Sequence, residues 1–253
     1  GAGLGHYSST FSAAELLAVL YYRTLRLDPA NPRWPGRDKF LLGKGHIGVG
    51  LWPILADLGY FPAAWLDDFG KMDAPLTDHP SMREVPGVDF SSGALGHNLS
   101  VGVGMCLASR FRGGDDRTFV LLGDGELHEG QVWEAAMSAA HYRLGNLVAI
   151  VDANGTSADG PTSDVMNIEP VRGRFEAFGW RAVEIDGHDV PRIVATLDAL
   201  PDARTDVPTV IVARTVKGKG VSFMETSPRE WHLGFLGPDD RQRAENEIRS
   251  RMT

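Results

Sequence analysis

Residues 118–155 have the sequence TFVLLGDGELHEGQVWEAAMSAAHYRLGNLVAIVDANG, and this stretch decides the fold. Thr118–Leu122 is short, apolar and bounded by glycine, which predicts a buried strand. Glu129–Tyr142 carries apolar residues at three- and four-residue spacing, which predicts a helix with an apolar stripe. Leu147–Val151 is a second apolar run and a second predicted strand. Strand, helix and strand in this order predict a βαβ unit with parallel strands and a right-handed crossover.

Oxygen-bearing side chains follow both predicted strands. Asp124 leaves the first strand and Asn154 leaves the second, and 154 − 124 gives a spacing of 30 positions. The carboxyl ends of parallel strands lie at one edge of a sheet, where open α/β folds bind ligands. A carboxylate and an amide oxygen beside glycines are hard ligands suited to magnesium or calcium. We therefore predict a divalent cation at this edge, placed to clamp a diphosphate.

Four histidines stand beside glycine, proline or tryptophan outside this stretch. Their segments are Gly5-His6, Gly45-His46, Asp78-His79-Pro80 and Trp231-His232. Taken singly, each is as well explained by a turn or a capping role as by ligand binding. Because histidine changes its charge near neutral pH, a set of four meeting at one site would suit proton transfer.

The rest of the chain adds helices and strands around the central unit. Ser12 and Glu15 have the spacing of a capping box, which predicts a helix Ala13–Tyr22. Apolar patterns predict three more helices and two more strands. The helices are Ile47–Leu58, Leu99–Ser109 and Arg172–Gly179, and the strands are Ala182–Asp186 and Val210–Arg214. Glycine-rich residues 91–98 open the helix Leu99–Ser109 and offer backbone N–H groups to an anion.

The Gly-Asp-Gly turn, the asparagine thirty positions later and the flanks GDGELHEGQVWEAA and VDANGTSADG resemble transketolase. The resemblance runs from Gly5-His6 to Trp231-His232 and matches only the N-terminal, diphosphate-binding half of such an enzyme. It implies the thiamine diphosphate-binding fold, an α/β three-layer architecture in which a parallel sheet carries helices on both faces. No repeat or low-complexity segment divides the sequence, so we expect one domain over residues 1–253.

The resemblance implies a site for thiamine diphosphate with Mg²⁺ or Ca²⁺. The metal ligands would be Asp124, Asn154 and the backbone carbonyl of Thr156. The catalytic residues, which would face the substrate, are His6, His46, His79 and His232. The residues that would contact the cofactor are His46, Gly93, Leu95, Gly123, Asp124, Gly125, Glu129, Asn154 and His232. The Asp-Gly-His-Asp run around His188 matches a structural turn and is left out of the site.

Two further features have two interpretations each. Glu129 and Glu134 match family carboxylates at the subunit interface, but as glutamates on a helix surface they are equally explained by solvation. The loop Thr215–Gly220 resembles a family segment beside the active site, and a solvated basic loop is the competing interpretation.

The sequence departs from the family pattern at positions that would face the substrate. Tyr7-Ser8-Ser9 follows His6 where proline or small residues are usual, and Asp78 replaces the glycine of a Gly-His-Pro motif. His97-Asn98 replaces Gln-Gly, and Leu233 follows His232 where glycine is usual. The metal motif is intact, so we interpret these changes as adaptation to an unusual ketose or acceptor.

One part of the expected active site is missing. In the family, a glutamate that protonates the aminopyrimidine ring comes from a second, pyrimidine-binding domain, and these 253 residues do not include it. We therefore predict the N-terminal subunit of a split transketolase, active only with a separate C-terminal subunit in a two-plus-two heterotetramer. It would transfer a two-carbon ketol unit from a ketose or ketose phosphate to an aldose.

Three alternatives remain open from the sequence. A 2-oxoacid decarboxylase or dehydrogenase half would share the metal motif, although the four histidines argue against it. A non-catalytic, regulatory transketolase-like subunit would keep the fold and tolerate the departures. A dinucleotide-binding module is disfavoured, because no Gly-x-Gly-x-x-Gly follows a first strand.

Composition limits the class of protein. With 253 residues, of which 43% are hydrophobic, the chain can bury a sizeable core. A net charge of −8 without a basic cluster argues against nucleic-acid binding. The lone cysteine, Cys106, lies in an apolar helix pattern and suits a buried role in a reducing cytoplasm. We expect no membrane span and no signal peptide, and a first residue that is glycine rather than methionine is compatible with a trimmed start or tail.

Overall fold

The computed structural model describes residues 4–251, which form two sheets and surrounding helices. The strands are β1 (Leu4–Gly5), β2 (Lys39–Leu42), β3 (Thr118–Gly123), β4 (Leu147–Ala153), β5 (Arg181–Asp186), β6 (Thr209–Arg214) and β7 (Gly234–Phe235). The helices are α1 (Tyr7–Phe11), α2 (Ala14–Val19), α3 (Gly48–Asp57), α4 (His97–Phe111), α5 (Gly130–His141), α6 (Thr162–Val165), α7 (Val171–Ala177), α8 (Val190–Asp198), α9 (Ser222–Thr226) and α10 (Pro238–Ser250).

A five-stranded parallel sheet lies at the centre, in the order β2-β3-β4-β6-β5. In the pairing of β3 with β4, Gly123 lies opposite Asp152. The two strands therefore end side by side, and Asp124 and Asn154 leave the sheet at the same edge. The βαβ unit predicted from residues 118–155 is confirmed.

Helices cover both faces of this sheet. Alternate residues of a strand point to opposite faces, so Phe119 and Leu121 of β3 enter one core while Val120 and Leu122 enter the other. The first core also contains apolar residues of α2, α3 and α8, and the second contains those of α4, α5 and α7. Each fully buried large apolar side chain contributes roughly 1.5–3 kcal/mol, which makes burial on both faces the main stabilising term. The predicted three-layer α/β fold is confirmed.

The cysteine lies where the sequence placed it. Cys106 on α4 is fully buried, and its burial raises the pKa of the thiol to about 12. At neutral pH it is therefore an unreactive, apolar side chain of the second core.

The predicted capping box at Ser12 is wrong. The helix begins at Ala14 with Ala13 as its N-cap, and it continues as a π-helix over Leu20–Thr24. The Ser12 hydroxyl instead donates to the carboxylate of Asp152 at 2.6 Å. The hydroxyl gives its proton to the buried carboxylate and its oxygen accepts from the Lys44 ammonium at 3.4 Å, so these tertiary contacts override the local motif.

A small second sheet joins segments from distant parts of the chain. Strands β1 and β7 pair antiparallel, with Gly5 opposite Gly234. The segments that carry His6 and His232 are therefore held together. Within residues 4–251, no helix has the length and apolarity needed to cross a membrane.

Candidate active site

A cavity of about 370 Å³ opens at the carboxyl edge of the parallel sheet. It lies where β2, β3 and β4 end, and the segments that carry His6 and His232 close its other side. Larger depressions of about 740 and 770 Å³ lie elsewhere on the surface. The predicted residues that line the 370 Å³ cavity are His6, His46, His79, Gly93, Leu95, Gly123, Asp124, Gly125, Glu129, Asn154, Thr156 and His232. Because the predicted set converges here, we treat this cavity as the candidate active site.

The Gly-Asp-Gly turn buries the Asp124 carboxylate at the end of β3. Asp124 Oδ1 accepts from the backbone N–H of Gly125 at 2.8 Å, and Oδ2 accepts from that of Gly155 at 2.5 Å. Burial raises the pKa of Asp124, and the nearby charge of Asp152 raises it further. Within residues 4–251, Asp124 forms no ion pair with a basic side chain, so its charge is only partly compensated.

Asn154 and Thr156 stand beside this carboxylate, in the loop after β4. The Asn154 side-chain oxygen accepts from the backbone N–H of Thr156 at 3.1 Å. The carbonyl of Thr156 accepts from the ammonium of Lys217 at 3.1 Å, and Lys217 is 4% exposed. Burial, with the nearby Lys44 charge, lowers the pKa of Lys217 to about 8.

These groups fit a divalent cation. In the described part of the chain no three His, Cys, Asp or Glu side chains group as a metal site, so a cation would rest on one carboxylate with amide and carbonyl oxygens. Such a mixed set of hard oxygens suits Mg²⁺ or Ca²⁺. A cation would also offset the charge of Asp124, whose pKa is raised by burial and by the nearby charge of Asp152.

A buried ion pair stabilises the strand ends that form the site. The Lys44 ammonium pairs with Asp152, which also accepts from the hydroxyls of Ser12 and Thr215. Burial raises the pKa of Asp152, but Lys44 and these hydrogen bonds lower it by more, so the carboxyl remains ionised. The pair ties β2, β4 and the loop after β6 to one another.

Three histidine rings meet at the mouth of the cavity. The ring centroids of His6 and His46 are 4.9 Å apart, those of His6 and His232 are 5.2 Å apart, and those of His46 and His232 are 5.5 Å apart. Burial lowers the pKa of His46 to about 2 and that of His232 to about 4, and nearby cationic groups add to both shifts. At neutral pH His46 and His232 are therefore neutral imidazoles, each with one N–H donor and one acceptor nitrogen.

His79 lies further out on the same rim. Its side chain is 47% exposed. Gly93 is held at φ +150°, and a Cβ there would lie 3.3 Å from Cδ2 of His79. A glycine at position 93 thus lets the loop approach the ring closely.

The residues that depart from the family pattern make specific contacts. Ser8 donates to the carbonyl of Trp231 at 2.9 Å, and Ser9 Oγ lies 3.2 Å from His232 Nδ1, so both tie the His6 segment to the His232 segment. Asn98 is buried and donates to the carbonyl of Leu42 at 3.1 Å. Asp78 Oδ2 lies 3.0 Å from His6 Nδ1. His97 and Leu233 are exposed.

The predicted set omits several residues of the cavity. The additional lining residues with polar side chains are Ser9, Lys44, Glu126, His128, Ser157, Asp159 and Lys217. Lys44 stands two positions before His46, and Lys217 lies in the basic loop for which the sequence left two interpretations. The buried position of Lys217 favours the interpretation that places this loop beside the site.

Glu126 is the least expected of these residues. In the sequence it follows the Gly-Asp-Gly turn and resembles an acidic residue in the first turn of a helix. In the structure it is 2% exposed, and its carboxylate accepts from the backbone N–H groups of Gly96 and Gly123 at 3.0 and 3.1 Å. Burial raises the pKa of Glu126 to about 7 despite these bonds. Glu126 therefore fixes the turn to the start of α4.

Comparisons with known proteins agree with this geometry. Residues 1–248 match the family described as "Transketolase, thiamine diphosphate binding domain". The chain is 41% identical over 223 residues to the 6-deoxy-6-sulfo-D-fructose transketolase subunit of Clostridium sp. strain MSTE9, a match that covers 88% of this chain and 81% of that protein. It is 38% identical over 248 residues to one of the named subunits of apulose-4-phosphate transketolase from Phocaeicola vulgatus, covering 98% of this chain and 87% of that protein.

The fold is also similar to that of a longer protein. The solved structure of transketolase from Leishmania mexicana superposes with a TM-score of 0.88 at 28% identity and covers 98% of this chain. The chain spans only 38% of that structure. The similarity is therefore to one part of a full-length enzyme and to nearly the whole of the shorter subunits.

Proposed function

The chain belongs to the transketolase family, and from that premise we propose that its cavity binds thiamine diphosphate with a divalent cation and serves ketol transfer with a partner subunit. Membership confirms the family, the class of enzyme and the N-terminal subunit predicted from the sequence. The observation that carries the assignment of the site is the meeting of His6, His46 and His232 beside the turn at Asp124.

The strand ends would anchor the cofactor. Asp124, Asn154 and the carbonyl of Thr156 would hold Mg²⁺ or Ca²⁺ as a template for the diphosphate. For Thr156 this requires that the Lys217 ammonium turn from its carbonyl, toward the added negative charge of the diphosphate. Gly93, Leu95, Gly123, Gly125 and Glu129 border the cavity and would contact the cofactor. The bound cofactor supplies the electron sink for cleaving and forming the carbon–carbon bond.

The four histidines would manage the hydroxyl groups of the sugar. His46 and His232 are neutral at the pH of the cell because of their burial, so each can accept one hydroxyl proton in a hydrogen bond and donate another. His6 and His79 lie on the same rim and would contact the ketose from the side of the first loop. The convergence of the four histidines supports assigning the substrate channel to this side of the cavity.

The partner subunit would supply the pyrimidine-binding half of the active site. We propose a separately encoded C-terminal subunit with a pyrimidine-binding domain and its activating glutamate, in a two-plus-two heterotetramer. Two relatives of comparable length bear names that identify them as transketolase subunits, which supports this arrangement. Glu129 and Glu134 are exposed on α5 and its N-cap, which leaves both available to an interface.

The substrate would be a ketose, as its phosphate or a related acid, in carbohydrate metabolism. The named substrates of the two relatives are an unusual sulfonated ketose and apulose 4-phosphate. The departures at Tyr7, Asp78 and Leu233, which adjoin His6, His79 and His232 in the sequence, support an unusual donor or acceptor here as well. We also propose a cytoplasmic location, which the buried thiol of Cys106 supports.

A calorimetric titration tests the binding function. Thiamine diphosphate with Mg²⁺ is titrated into this chain alone and into its mixture with the C-terminal subunit. We expect weak binding alone and tight binding in the mixture, because the pyrimidine half of the site comes from the partner. No binding in either case would contradict the proposal.

A turnover assay separates a catalyst from a regulatory subunit. The mixture is given xylulose 5-phosphate, sulfofructose or apulose 4-phosphate as donor, with a panel of aldoses as acceptors. Ketol transfer from one of the unusual donors in preference to xylulose 5-phosphate is expected. Tight cofactor binding without transfer from any donor would favour the non-catalytic alternative, and ordinary rates with xylulose 5-phosphate and ribose 5-phosphate would exclude an unusual substrate.

A further inference from the structure

The carboxylate of Asp78 faces one nitrogen of the His6 ring. Asp78 Oδ2 lies 3.0 Å from His6 Nδ1 and 3.8 Å from His79 Nδ1, so His6 is the nearer of the two histidines. The backbone at Asp78 is packed tightly, since a Cβ on Gly48 would lie 2.5 Å from its carbonyl oxygen. The side chain of His6 is only 12% exposed, and its Nδ1 is buried. The nitrogen side of the contact is therefore buried, whereas the Asp78 side chain is 32% exposed.

This contact decides which ring nitrogen carries the proton. Among residues 4–251, Nδ1 has no partner with the angles of a hydrogen bond, so Asp78 acts on it through charge. A carboxylate oxygen at this distance repels the lone pair of a bare nitrogen and attracts an N–H group. In the neutral ring the proton therefore lies on Nδ1, and Nε2 carries the lone pair.

The packing of the rings fixes the direction in which Nε2 points. His46 and His232 lie against His6, with centroid distances of 4.9 and 5.2 Å, so the ring has little freedom to turn. The carbonyl of His6 accepts from both the backbone N–H and the hydroxyl of Thr10, at 3.0 and 2.8 Å, which holds the backbone. Nδ1 is the nitrogen buried against Asp78. The rest of the ring, which includes Nε2, therefore borders the cavity.

We propose that Asp78 is a positioning residue that holds His6 as the Nδ1–H tautomer, so that Nε2 presents its lone pair to a hydroxyl group of the ketose donor. The consequence for turnover rests on the proposed ketol transfer, whereas the tautomer is a property of this chain alone. Glycine occupies this place in the resembled Gly-His-Pro motif and would leave the proton free to move to Nε2. Asp78 thus makes this chain more selective for a donor hydroxyl at this point.

Nitrogen NMR of the full chain tests the tautomer directly. The imidazole signals of the ¹⁵N-labelled protein are recorded at neutral pH, and His6→Asn identifies the signals of His6. We expect a protonated Nδ1 and a bare Nε2 in the unaltered chain, a shift toward the Nε2–H tautomer in Asp78→Ala, and recovery of the first pattern in Asp78→Glu. Asp68→Ala removes an exposed carboxylate on a neighbouring segment and should change nothing.

Kinetics of the complex with the C-terminal subunit test the consequence. Losing one hydrogen bond to the donor should raise the KM for the ketose about tenfold in Asp78→Ala. The KM for the aldose and the affinity for thiamine diphosphate should stay within about twofold, because the variant alters only the contact with the ketose. A general structural fault would instead change all three constants. Asp78→Glu should restore the KM for the ketose.

The outcomes separate this proposal from the proposed function. A bare Nδ1 in the unaltered chain, or no change in the His6 signals of Asp78→Ala, would overturn the role of Asp78 even if the complex is an active transketolase. The expected tautomer with equal losses in all three constants would overturn its positioning role in turnover. The expected tautomer in a complex that transfers no ketol unit would overturn the proposed function and leave the Asp78–His6 pairing standing.

Discussion

Two aspartates end neighbouring strands of the same sheet and have opposite environments. Asp152, at the end of β4, is fully buried against Lys44 and remains ionised. Asp124, just after β3, is 5% exposed, receives only backbone N–H groups from residues 4–251, and has a raised pKa because of its burial. The chain compensates the first charge with a basic side chain, whereas the second has no such partner within residues 4–251 and is the one that we propose binds a cation. Burial alone thus does not distinguish a structural carboxylate from a binding one, whereas the source of the compensating charge does.

The largest effect is expected from breaking the internal pair. Asp152→Asn leaves the buried Lys44 ammonium without its counter-ion, and such a loss costs about 3–5 kcal/mol of the free energy of unfolding. Urea denaturation in the absence of metal and cofactor measures it. Asp124→Asn is the matched control on the neighbouring strand end, and its cost under the same conditions should be about 1 kcal/mol. Equal costs at the two positions would remove the distinction between them.

The second prediction concerns the Asp124 carboxylate, which we propose binds the cation. Asp124→Asn should weaken the binding of thiamine diphosphate with Mg²⁺ by about a hundredfold or more, because it removes a metal ligand. Calorimetry on the mixture with the C-terminal subunit measures this change. Asp159→Asn removes an exposed carboxylate from the border of the same cavity and should alter the affinity by less than about twofold. If both variants bind alike, the metal is not held by Asp124.

The third and smallest effect extends the comparison to a group that burial keeps neutral. The pKa of His232 is about 4 in the folded chain, against an ordinary value of 6.5, so the unfolded state binds more protons between these values. Stability should therefore fall as the pH is lowered through this window, by less than about 1 kcal/mol per pH unit from this residue, because water screens the partly exposed ring.

Acid titration of the unfolding free energy checks this sign. His232→Gln should flatten the decline between about pH 6 and pH 5 by that amount. His141→Gln replaces an exposed histidine at the end of α5 and should leave the slope unchanged. Equal slopes in the wild type and in His232→Gln would contradict the assigned burial of His232.

The sequence predicted the elements whose cause is local. The spacing of the apolar residues in 118–155 was enough to predict β3, α5 and β4. A helix buried along one stripe and a strand buried on both faces each leave a characteristic apolar pattern in the sequence. The glycine-flanked site residues, such as Asp124 and His46, were predictable because their turns form local motifs. Their placement around one cavity agrees with that expectation, while their roles stay predictions.

What escaped prediction depends on contacts between distant segments. Ser12 has the spacing of a helix cap, and only the structure shows that it serves Asp152, which is 140 positions away. Glu126 has the sequence context of an exposed first-turn acid, yet the backbones of Gly96 and Gly123 enclose it. In both cases a polar side chain satisfies a buried group in another segment, and no local pattern records such a partner.

The pairing of β1 with β7 has a consequence for the order in which the site can assemble. Asp124 and Gly155 meet across 31 positions, whereas Ser9 and His232 meet across 223. The entropy of closing the longer loop costs roughly 2 kcal/mol more if the intervening chain is flexible, so the cation edge is expected to form before the histidine rim. During synthesis the parallel sheet can therefore be complete while the cavity still lacks the wall that carries His232. A nascent chain would acquire the turn at Asp124 first and the cluster of histidines last.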